Sequence, residues 1–436
     1  MKKSTNFSRR DFIKVSAAGA IAAMAAGKYA FAAGSDKIRV GLIGCGNRGT
    51  GAARDCVTSS ANVEIYAMGD LFKDNLDRSF KKLSQGNPDN KDEGPLGEKF
   101  NAAEERCFAG LDAYKKVIDS GVDMVILATP PHFRPMHLKA AVEAGRNVFM
   151  EKPAAVDPVG VRSVLASSEL AGQKGLAIVA GTQRRHQPGY IEILKRIHNG
   201  DIGEIVGGQC YWNGGDVAKW GFLHKHLPGW SDMEWQLRNW YFFTWLSGDH
   251  IVEQHVHNID VINWAIGTHP ARAVGMGGRQ SRTAPECGNI FDHFAVEYEY
   301  PNGARIMSMC RQVDQCAEQV AERVVGTKGS ANADGGGCRI RGTNAYKYDG
   351  PNPNPYVVEH ADLITSIRDG KPLNEGKTIA ESTLTGIMGR MSAYTGRELS
   401  WDWVMNASKL DLTPPNYEFG DYPVAPVAIP GQTKLV

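Results

Sequence analysis

A glycine-rich run at residues 44–49, GCGNRG, has the spacing of a loop that binds the pyrophosphate of a dinucleotide. The first glycine allows a tight turn, the second lets the backbone approach the pyrophosphate, and the third packs helix against strand. Asp70 follows about 20 residues later, where a carboxylate would hold ribose hydroxyls and repel a 2′-phosphate. We therefore predict a bound NAD, with NADP possible because Lys73 lies close by. The loop residues predicted to contact it are Gly44, Gly46, Asn47, Arg48 and Gly49.

The tripeptide Glu151-Lys152-Pro153 directly follows an apolar strand pattern at Asn147–Met150. Ligands of open parallel sheets bind at the carboxyl ends of the strands. A lysine there can hydrogen-bond a substrate hydroxyl and ease its deprotonation while hydride leaves the carbon. Lys152 is therefore predicted to handle a proton in the reaction.

The densest polar cluster lies at residues 249–260. At helical spacing, His250, Glu253, His257 and Asp260 fall on one face, which could line a cleft, while apolar residues fall on another. Two alternatives stay open. Such closely spaced carboxylates and imidazoles could bind zinc or a similar ion, or the helix could be polar for structural reasons alone. Our preferred interpretation places no metal there.

The elements that must position these residues follow a βαβ pattern, in which apolar strands alternate with helices. Near-continuously apolar strands are typical of a parallel sheet covered on both faces. The predicted strands are Ile38–Ile43, Val63–Met68, Val122–Ala128, Asn147–Met150 and Leu176–Gly181. The predicted helices span residues 47–58, 72–83, 112–119, 133–144 and 157–171. We expect a doubly wound α/β domain of the Rossmann type over residues 33–182.

The residue pattern changes after residue 183. Strand patterns at Ile205–Tyr211, His293–Tyr300 and Ala304–Cys310 alternate between apolar and polar residues, as in an antiparallel sheet with one face partly exposed. Two helices are predicted at residues 357–369 and 377–395. We expect residues 183–436 to form an α+β domain that binds substrate. A homo-oligomer is also expected, because one face of this sheet is not needed for the active site.

The N-terminal 32 residues resemble an export signal. Arg9 and Arg10 form a twin-arginine pattern, a small-residue apolar run follows at 15–26, and Ala30-Phe31-Ala32 offers a cleavage site. We expect a mature protein that begins near Ala33 and lies in the periplasm or outside the cell. A short uncleaved anchor is the alternative, although the run is short for a bilayer span of about 20 apolar residues. The net charge of +1 gives no case for nucleic acid or an anionic membrane as partner.

In order and spacing, these motifs resemble the glucose–fructose oxidoreductase/inositol dehydrogenase/MocA (Gfo/Idh/MocA) family over nearly the whole mature chain. The similarity also includes an Ala-Thr-Pro-Pro run at 128–131 and a Gly-Thr-Gln-Arg-Arg run at 181–185. The resemblance implies a second domain built on a large, mostly antiparallel sheet and an active-site role for Lys152. It also implies that four residues lie near the dinucleotide, namely Thr129, Pro131, Glu151 and Gln183.

In the family, a carboxylate four residues before a histidine completes the site with the lysine. Glu253 and His257 occupy those positions, so the resemblance implies His257 as proton acceptor and Glu253 as its orienter or a substrate contact. The chain has Glu where Asp is usual and His255 where Gly is common. The weaker substrate-site candidates are Arg184, His186, Tyr190 and Asp260.

The expected function is hydride transfer between a hydroxyl group of a sugar, polyol or glycoside and a tightly held NAD(P). The twin-arginine route carries folded proteins, so the cofactor could be loaded before export and then recycled within the site. The main alternative is an NAD-dependent glycosidase that oxidises its substrate transiently, eliminates, hydrates and reduces again. A sensing module without catalysis is disfavoured by the set of Lys152, Glu253 and His257.

Overall fold

A six-stranded sheet forms the first layer of the fold in the computed structural model, which describes residues 36–335 and 337–436. The strand order is β3-β2-β1-β4-β5-β6, with parallel pairing of β1 to β4, β2 to β3, β4 to β5 and β5 to β6. The strands are β1 Ile38–Ile43, β2 Val63–Asp70, β3 Cys107–Ala109, β4 Met124–Leu127, β5 Asn147–Met150 and β6 Ile178–Ala180.

Five helices connect these strands and confirm the predicted Rossmann fold. They are α1 Asn47–Ser59, α2 Lys73–Gln85, α3 Ala113–Asp119, α4 Arg134–Glu143 and α5 Pro158–Lys174. Each predicted element of this domain agrees with the structure to within three residues. β3 is missing from the predicted strands because three partly exposed residues give too short a pattern to recognise.

A nine-stranded sheet forms the core of the second domain, as predicted. Its order is β14-β13-β12-β11-β7-β10-β9-β8-β15, and neighbouring strands among the described residues pair antiparallel except β7 with β10. The strands are β7 Ile205–Gly214, β8 Arg272–Gly278, β9 His293–Glu299, β10 Arg305–Gln312, β11 Gln319–Gly326, β12 Gly329–Asp334, β13 Gly337–Gly342, β14 Tyr346–Lys347 and β15 Leu399–Ser400.

The helices of the second part of the chain include two that return to the first sheet. In chain order they are α6 Pro188–His198, α7 Asp232–Arg238, α8 Thr244–Ser247, α9 His250–Glu253, α10 Val256–Ile266, α11 Pro355–Arg368, α12 Gly376–Thr395 and α13 Trp401–Asn406. α11 packs on α1, and α12 packs on α5. Between them, Asn374 bridges to Ile178 of β6 in parallel register. Residues from the second half of the sequence therefore extend the first sheet along its outer strand, β6.

Within residues 36–335 and 337–436, no helix is both long and apolar enough to cross a bilayer. The predicted export signal at residues 1–32 and the cleavage site near Ala33 lie outside the described residues.

Candidate active site

The glycine loop has the shape that a pyrophosphate site requires. Gly44 has φ +99°, and a Cβ there would lie 2.5 Å from the backbone of Ala128 and Thr129. A Cβ on Gly49 would lie 1.9 Å from the Gly44 oxygen, so this glycine lets α1 pack against the strand turn. A Cβ on Gly46 would meet nothing within 4 Å. The backbone beside Gly46 is thus open at the start of α1, where unpaired N–H groups favour an anion.

Asp70 is the last residue of β2, and its carboxylate connects the neighbouring loops through hydrogen bonds. Its Oδ2 accepts a hydrogen bond from the Cys45 backbone N–H at 2.6 Å, and its Oδ1 accepts one from Phe72 at 2.8 Å. Burial raises the pKa of Asp70, and these two hydrogen bonds oppose that effect. The carboxylate therefore lies next to the glycine loop, where ribose hydroxyls are held in this fold. This arrangement, together with the open backbone at Gly46, fits a dinucleotide.

The side chain of Arg48 extends from the glycine loop and forms ion pairs with carboxylates of other elements. Its Nε donates to Glu151 Oε1, and its Nη2 lies 3.7 Å from Glu359 Oε1 of α11. The guanidinium also lies 4.9 Å from the ring centre of Tyr356. Burial and the nearby Glu151 raise the pKa of Glu359 well above its usual range, and neither oxygen of that side chain has a hydrogen-bond partner. Sequence reasoning missed Tyr356 and Glu359, since helical periodicity does not reveal a partner some 300 residues away.

Lys152 is held by Glu253. Its Nζ donates to the main-chain oxygen of Glu253 and, at 2.8 Å, to Oε1 of the same residue. In a continuous helix the Glu253 oxygen would accept the His257 N–H, but α9 ends at Glu253 and that N–H is bonded to Gln254 instead. The break between α9 and α10 thus frees the carbonyl that holds the lysine.

His257 is the second residue of α10, and its side chain is buried. Its ring stacks on Trp212, with ring centres 5.8 Å apart. Burial lowers its pKa well below the usual range, and the charges of Lys152 and Arg184 lower it further. A neutral histidine beside a lysine can accept a proton from a substrate hydroxyl.

The prediction of one shared face assumes a continuous helix through His250, Glu253, His257 and Asp260. That assumption is wrong, because α9 ends at Glu253 and α10 begins at Val256. His250 Nδ1 lies 3.0 Å from Asp249, and Asp260 forms a two-point ion pair with Arg185. The carboxylate of Glu253 contacts Lys152, not His257.

The predicted substrate-site residues that follow β6 have their polar groups engaged within the chain. Arg184 Nη1 lies 2.5 Å from Glu322 Oε1, and the Tyr190 hydroxyl donates to the other oxygen at 3.1 Å. His186 lies between Asp362 and Glu375. Burial lowers the pKa of His186, but the hydrogen bonds to these carboxylates more than offset it and raise the pKa to about 10.

The remaining predicted cofactor residues lie at the carboxyl edge of the first sheet or next to it. The Thr129 hydroxyl, just after β4, is 3.2 Å from His137 Nδ1. Pro131 begins a 3-10 turn, Pro131–Phe133. Gln183 Nε2 donates to the Tyr356 hydroxyl at 3.3 Å. Within residues 36–335 and 337–436, no three His, Cys, Asp or Glu side chains are grouped as a metal site.

Several known proteins are similar to this chain. The scyllo-inositol 2-dehydrogenase (NAD(+)) of Bacillus subtilis is 22% identical over 294 residues, which are 67% of this chain and 73% of that protein. The 2,7-anhydro-N-acetylneuraminate hydratase of Escherichia coli is 28% identical over 207 residues, 46% of this chain and 49% of that protein.

Solved structures share the fold. The aldose-aldose oxidoreductase of Caulobacter crescentus superposes with a TM-score of 0.63 at 17% identity, over 84% of this chain and 99% of that one. The myo-inositol 2-dehydrogenase of Lactobacillus plantarum gives 0.62 at 18% identity, with the same coverage.

Two family models match consecutive parts of the chain and together span more than half of it. Residues 38–180 match the oxidoreductase family with an NAD-binding Rossmann fold, and residues 190–332 match the GFO/IDH/MocA C-terminal domain. The motif resemblance, the two sheets and these matches agree, and the chain belongs to the Gfo/Idh/MocA family of NAD-binding oxidoreductases.

Proposed function

We propose that this chain is an exported enzyme that transfers hydride between a hydroxyl group of a sugar, polyol or glycoside and a tightly held NAD. The observation that carries the proposal is the geometry at Lys152. Its ammonium group is held by Glu253 at the carboxyl edge of the sheet, with a neutral His257 in the same cluster of charges. A nicotinamide bound over the same edge would take hydride from the carbon that bears the hydroxyl.

The chain's own residues would handle the proton. In our proposal Lys152 hydrogen-bonds the substrate hydroxyl, and His257 accepts its proton as the C–O bond becomes a carbonyl. Glu253 fixes the position of Lys152 through two contacts instead of orienting His257. Around the cofactor we assign contacts to Arg48, Thr129, Pro131, Glu151 and Gln183, in addition to the glycine loop and Asp70.

The substrate class is supported by the names of relatives, several of which are inositol dehydrogenases. We propose that Arg184, next to Trp212, lines the substrate side of the cleft. His186 and Asp260 act through the ion pairs described above, and Tyr190 acts through its hydrogen bond to Glu322. We further propose residues 33–182 as the NAD domain and residues 183–436 as the substrate domain.

One experiment separates the main function from the glycosidase alternative. The protein is purified natively, its bound dinucleotide is identified by mass spectrometry, and a panel of sugars, polyols and glycosides is then added. The proposal expects a change in nicotinamide absorbance with no aglycone released. Release of the aglycone without net change in absorbance would establish the glycosidase. The similarity to a 2,7-anhydro-N-acetylneuraminate hydratase is the reason to include the glycosides in the panel.

Replacing Asp70 with alanine is expected to weaken the preference for NAD over NADP, because the carboxylate no longer repels a 2′-phosphate. Titration of the protein with each dinucleotide measures the ratio of the two dissociation constants. Lys73→Ala is the opposing variant. It removes a nearby positive charge, paired with Asp77, that would attract a 2′-phosphate, so it should strengthen the preference for NAD. Tighter binding of NADP by the unaltered protein would refute the NAD assignment.

Export by the twin-arginine route is a separate proposal based on Arg9, Arg10 and the small-residue run that follows them. N-terminal sequencing of protein from the cell envelope should find a chain that begins near Ala33. Replacing both arginines with lysine should leave the precursor inside the cell. An intact Met1 on membrane-retained protein would contradict the proposal.

The outer face of the nine-stranded sheet supports a homo-oligomer. Its cross-strand register places Met276, Ala295, Met309 and Tyr211 in one row, and Met276 is 73% exposed. Met276→Lys combined with Met309→Lys should therefore produce monomers in light scattering. Val206→Lys is the control. Val206 is also exposed and apolar, but it lies on the other face of the sheet from Tyr211, so its replacement should leave the oligomer intact. An unaltered protein that is monomeric at micromolar concentration would overturn this proposal.

A further inference from the structure

The chain after α13 runs through residues 407–436 without helix or strand. We call it the carboxy-terminal strap. Its two ends meet, because the Ser408 hydroxyl donates to the Val436 oxygen at 2.7 Å. The Gly431 N–H donates to the Thr395 oxygen of α12 at 3.0 Å. The strap therefore forms a loop that leaves the second domain and returns to it.

The middle of the strap lies on the carboxyl edge of the Rossmann sheet. The Tyr417 hydroxyl is 2.9 Å from His132 Nε2, and its ring centre is 5.5 Å from that of Phe133, just after β4. Phe419 stacks on Phe72, just after β2, with ring centres 6.1 Å apart and planes 12° from parallel. β2 and β4 flank β1, which leads into the glycine loop. Two strap residues thus contact both sides of the cofactor loop.

The same stretch is bonded to the second domain. The Gly420 oxygen accepts from the Met233 N–H at 3.2 Å, and the Tyr422 oxygen accepts from Gln236 at 2.6 Å. From α7, Arg238 reaches the same place, with its guanidinium 3.8 Å from the ring centre of Phe72 and an ion pair to Asp74. The strap and α7 therefore link the two domains across the loop that follows Asp70.

That loop is where the adenosine half of a dinucleotide lies in this fold, because the carboxylate at the end of β2 holds the adenosine ribose. We propose that the carboxy-terminal strap closes the adenosine end of the NAD site, so that bound NAD leaves only after the strap lifts from Phe72 and His132. The proposal rests on the proposed function and adds the physical reason for retention of the cofactor. A recycled cofactor requires slow release, and the strap supplies it.

The two ends of the strap are loosely packed. A cavity of about 480 Å³ lies between residues of these ends, such as Leu412 and Ile429, and the Met391–Thr395 face of α12. Phe419 itself is half exposed. Segments with few buried contacts open locally at lower free energy than the core. The strap can therefore detach while both domains remain folded.

The test measures NAD release directly, without turnover. Protein loaded with NAD is mixed with excess NAD labelled with ¹³C in the adenine, and samples are desalted and examined by mass spectrometry over time. Tyr417→Phe removes only the hydroxyl contact, and Phe419→Ala removes the ring stack. We expect the double variant to exchange NAD roughly tenfold faster than the unaltered protein, because both contacts are absent from the open state. Tyr417→Phe alone is conservative and should show a smaller increase.

Val424→Ala is the matched control, since this strap residue lies in a groove with Trp235 and Arg279 of the second domain. It should exchange NAD at the original rate. Equal rates in the double variant, the control and the unaltered protein would overturn the strap proposal and leave the proposed function standing. An unaltered protein that neither carries nor takes up NAD would overturn both. Thermal unfolding of each loaded variant verifies that faster exchange does not reflect global unfolding.

Discussion

Replacing Lys152 with methionine is expected to lower turnover about 10²–10⁴-fold, the range for loss of a general acid–base group. The ammonium group is the only part removed, and its two contacts both go to Glu253. The glycine loop and Asp70 are unchanged, so NAD should still bind. Steady-state kinetics on an active substrate, with a parallel NAD titration, measures both effects.

His257→Ala should lower turnover by a similar factor, and the double variant should lose little more, because residues that act as a unit are not additive. Glu253→Gln should have a smaller effect than Lys152→Met, since the main-chain oxygen still holds the lysine. Lys115→Met removes an exposed lysine paired with Asp112 and serves as the control with unchanged turnover. If a chelator abolishes activity while Lys152→Met is harmless, the metal interpretation replaces this mechanism.

The second large effect is expected from a pair of alanine substitutions in the glycine loop. A Cβ on Gly46 meets no atom within 4 Å, so Gly46→Ala should fold normally while its methyl group fills the approach of the pyrophosphate. We expect its NAD affinity to fall at least about tenfold, equivalent to about 1.4 kcal/mol. A Cβ on Gly49 would lie 1.9 Å from the Gly44 oxygen. Gly49→Ala should therefore destabilise the fold by about 1–3 kcal/mol, as overpacked sites do.

Urea unfolding and NAD titration distinguish the two substitutions. Gly51→Ala, later in α1, is the control, because its Cβ would meet only Arg48 at an ordinary 3.7 Å. It should be neutral or stabilising, as expected for alanine in place of glycine within a helix. Unchanged NAD affinity in Gly46→Ala would mean that the pyrophosphate does not approach over this glycine.

The contact between Lys152 and Glu253 shows where prediction from residue patterns stops. The residue pattern predicts both residues in one site, with Glu253 as the orienter of His257 or as a substrate contact. The structure pairs it with Lys152, 101 residues earlier in the chain. The reason is the interruption between α9 and α10, which an unbroken helical periodicity cannot reveal. A turn that frees one carbonyl changes which side chain the carboxylate can reach.

Residue patterns alone predict the Rossmann fold, the glycine loop with Asp70, and the position of Lys152 at a strand end. Each depends on a single strand–turn–helix unit, so the residues that specify it are neighbours in the chain. The boundaries of these elements agree with the structure because apolar strands and amphipathic helices carry their period locally.

Residue patterns do not reveal the partners of Arg48, the ion pairs of Arg184 and Asp260, or the course of the carboxy-terminal strap, which depend on how distant elements pack. These contacts join elements that are distant in the chain, as Tyr417 and His132 are, 285 residues apart. Their strength comes from burial, which removes competing water from charged and aromatic groups. Burial at such places is a property of how helices and strands pack together, and no local pattern of residues encodes it.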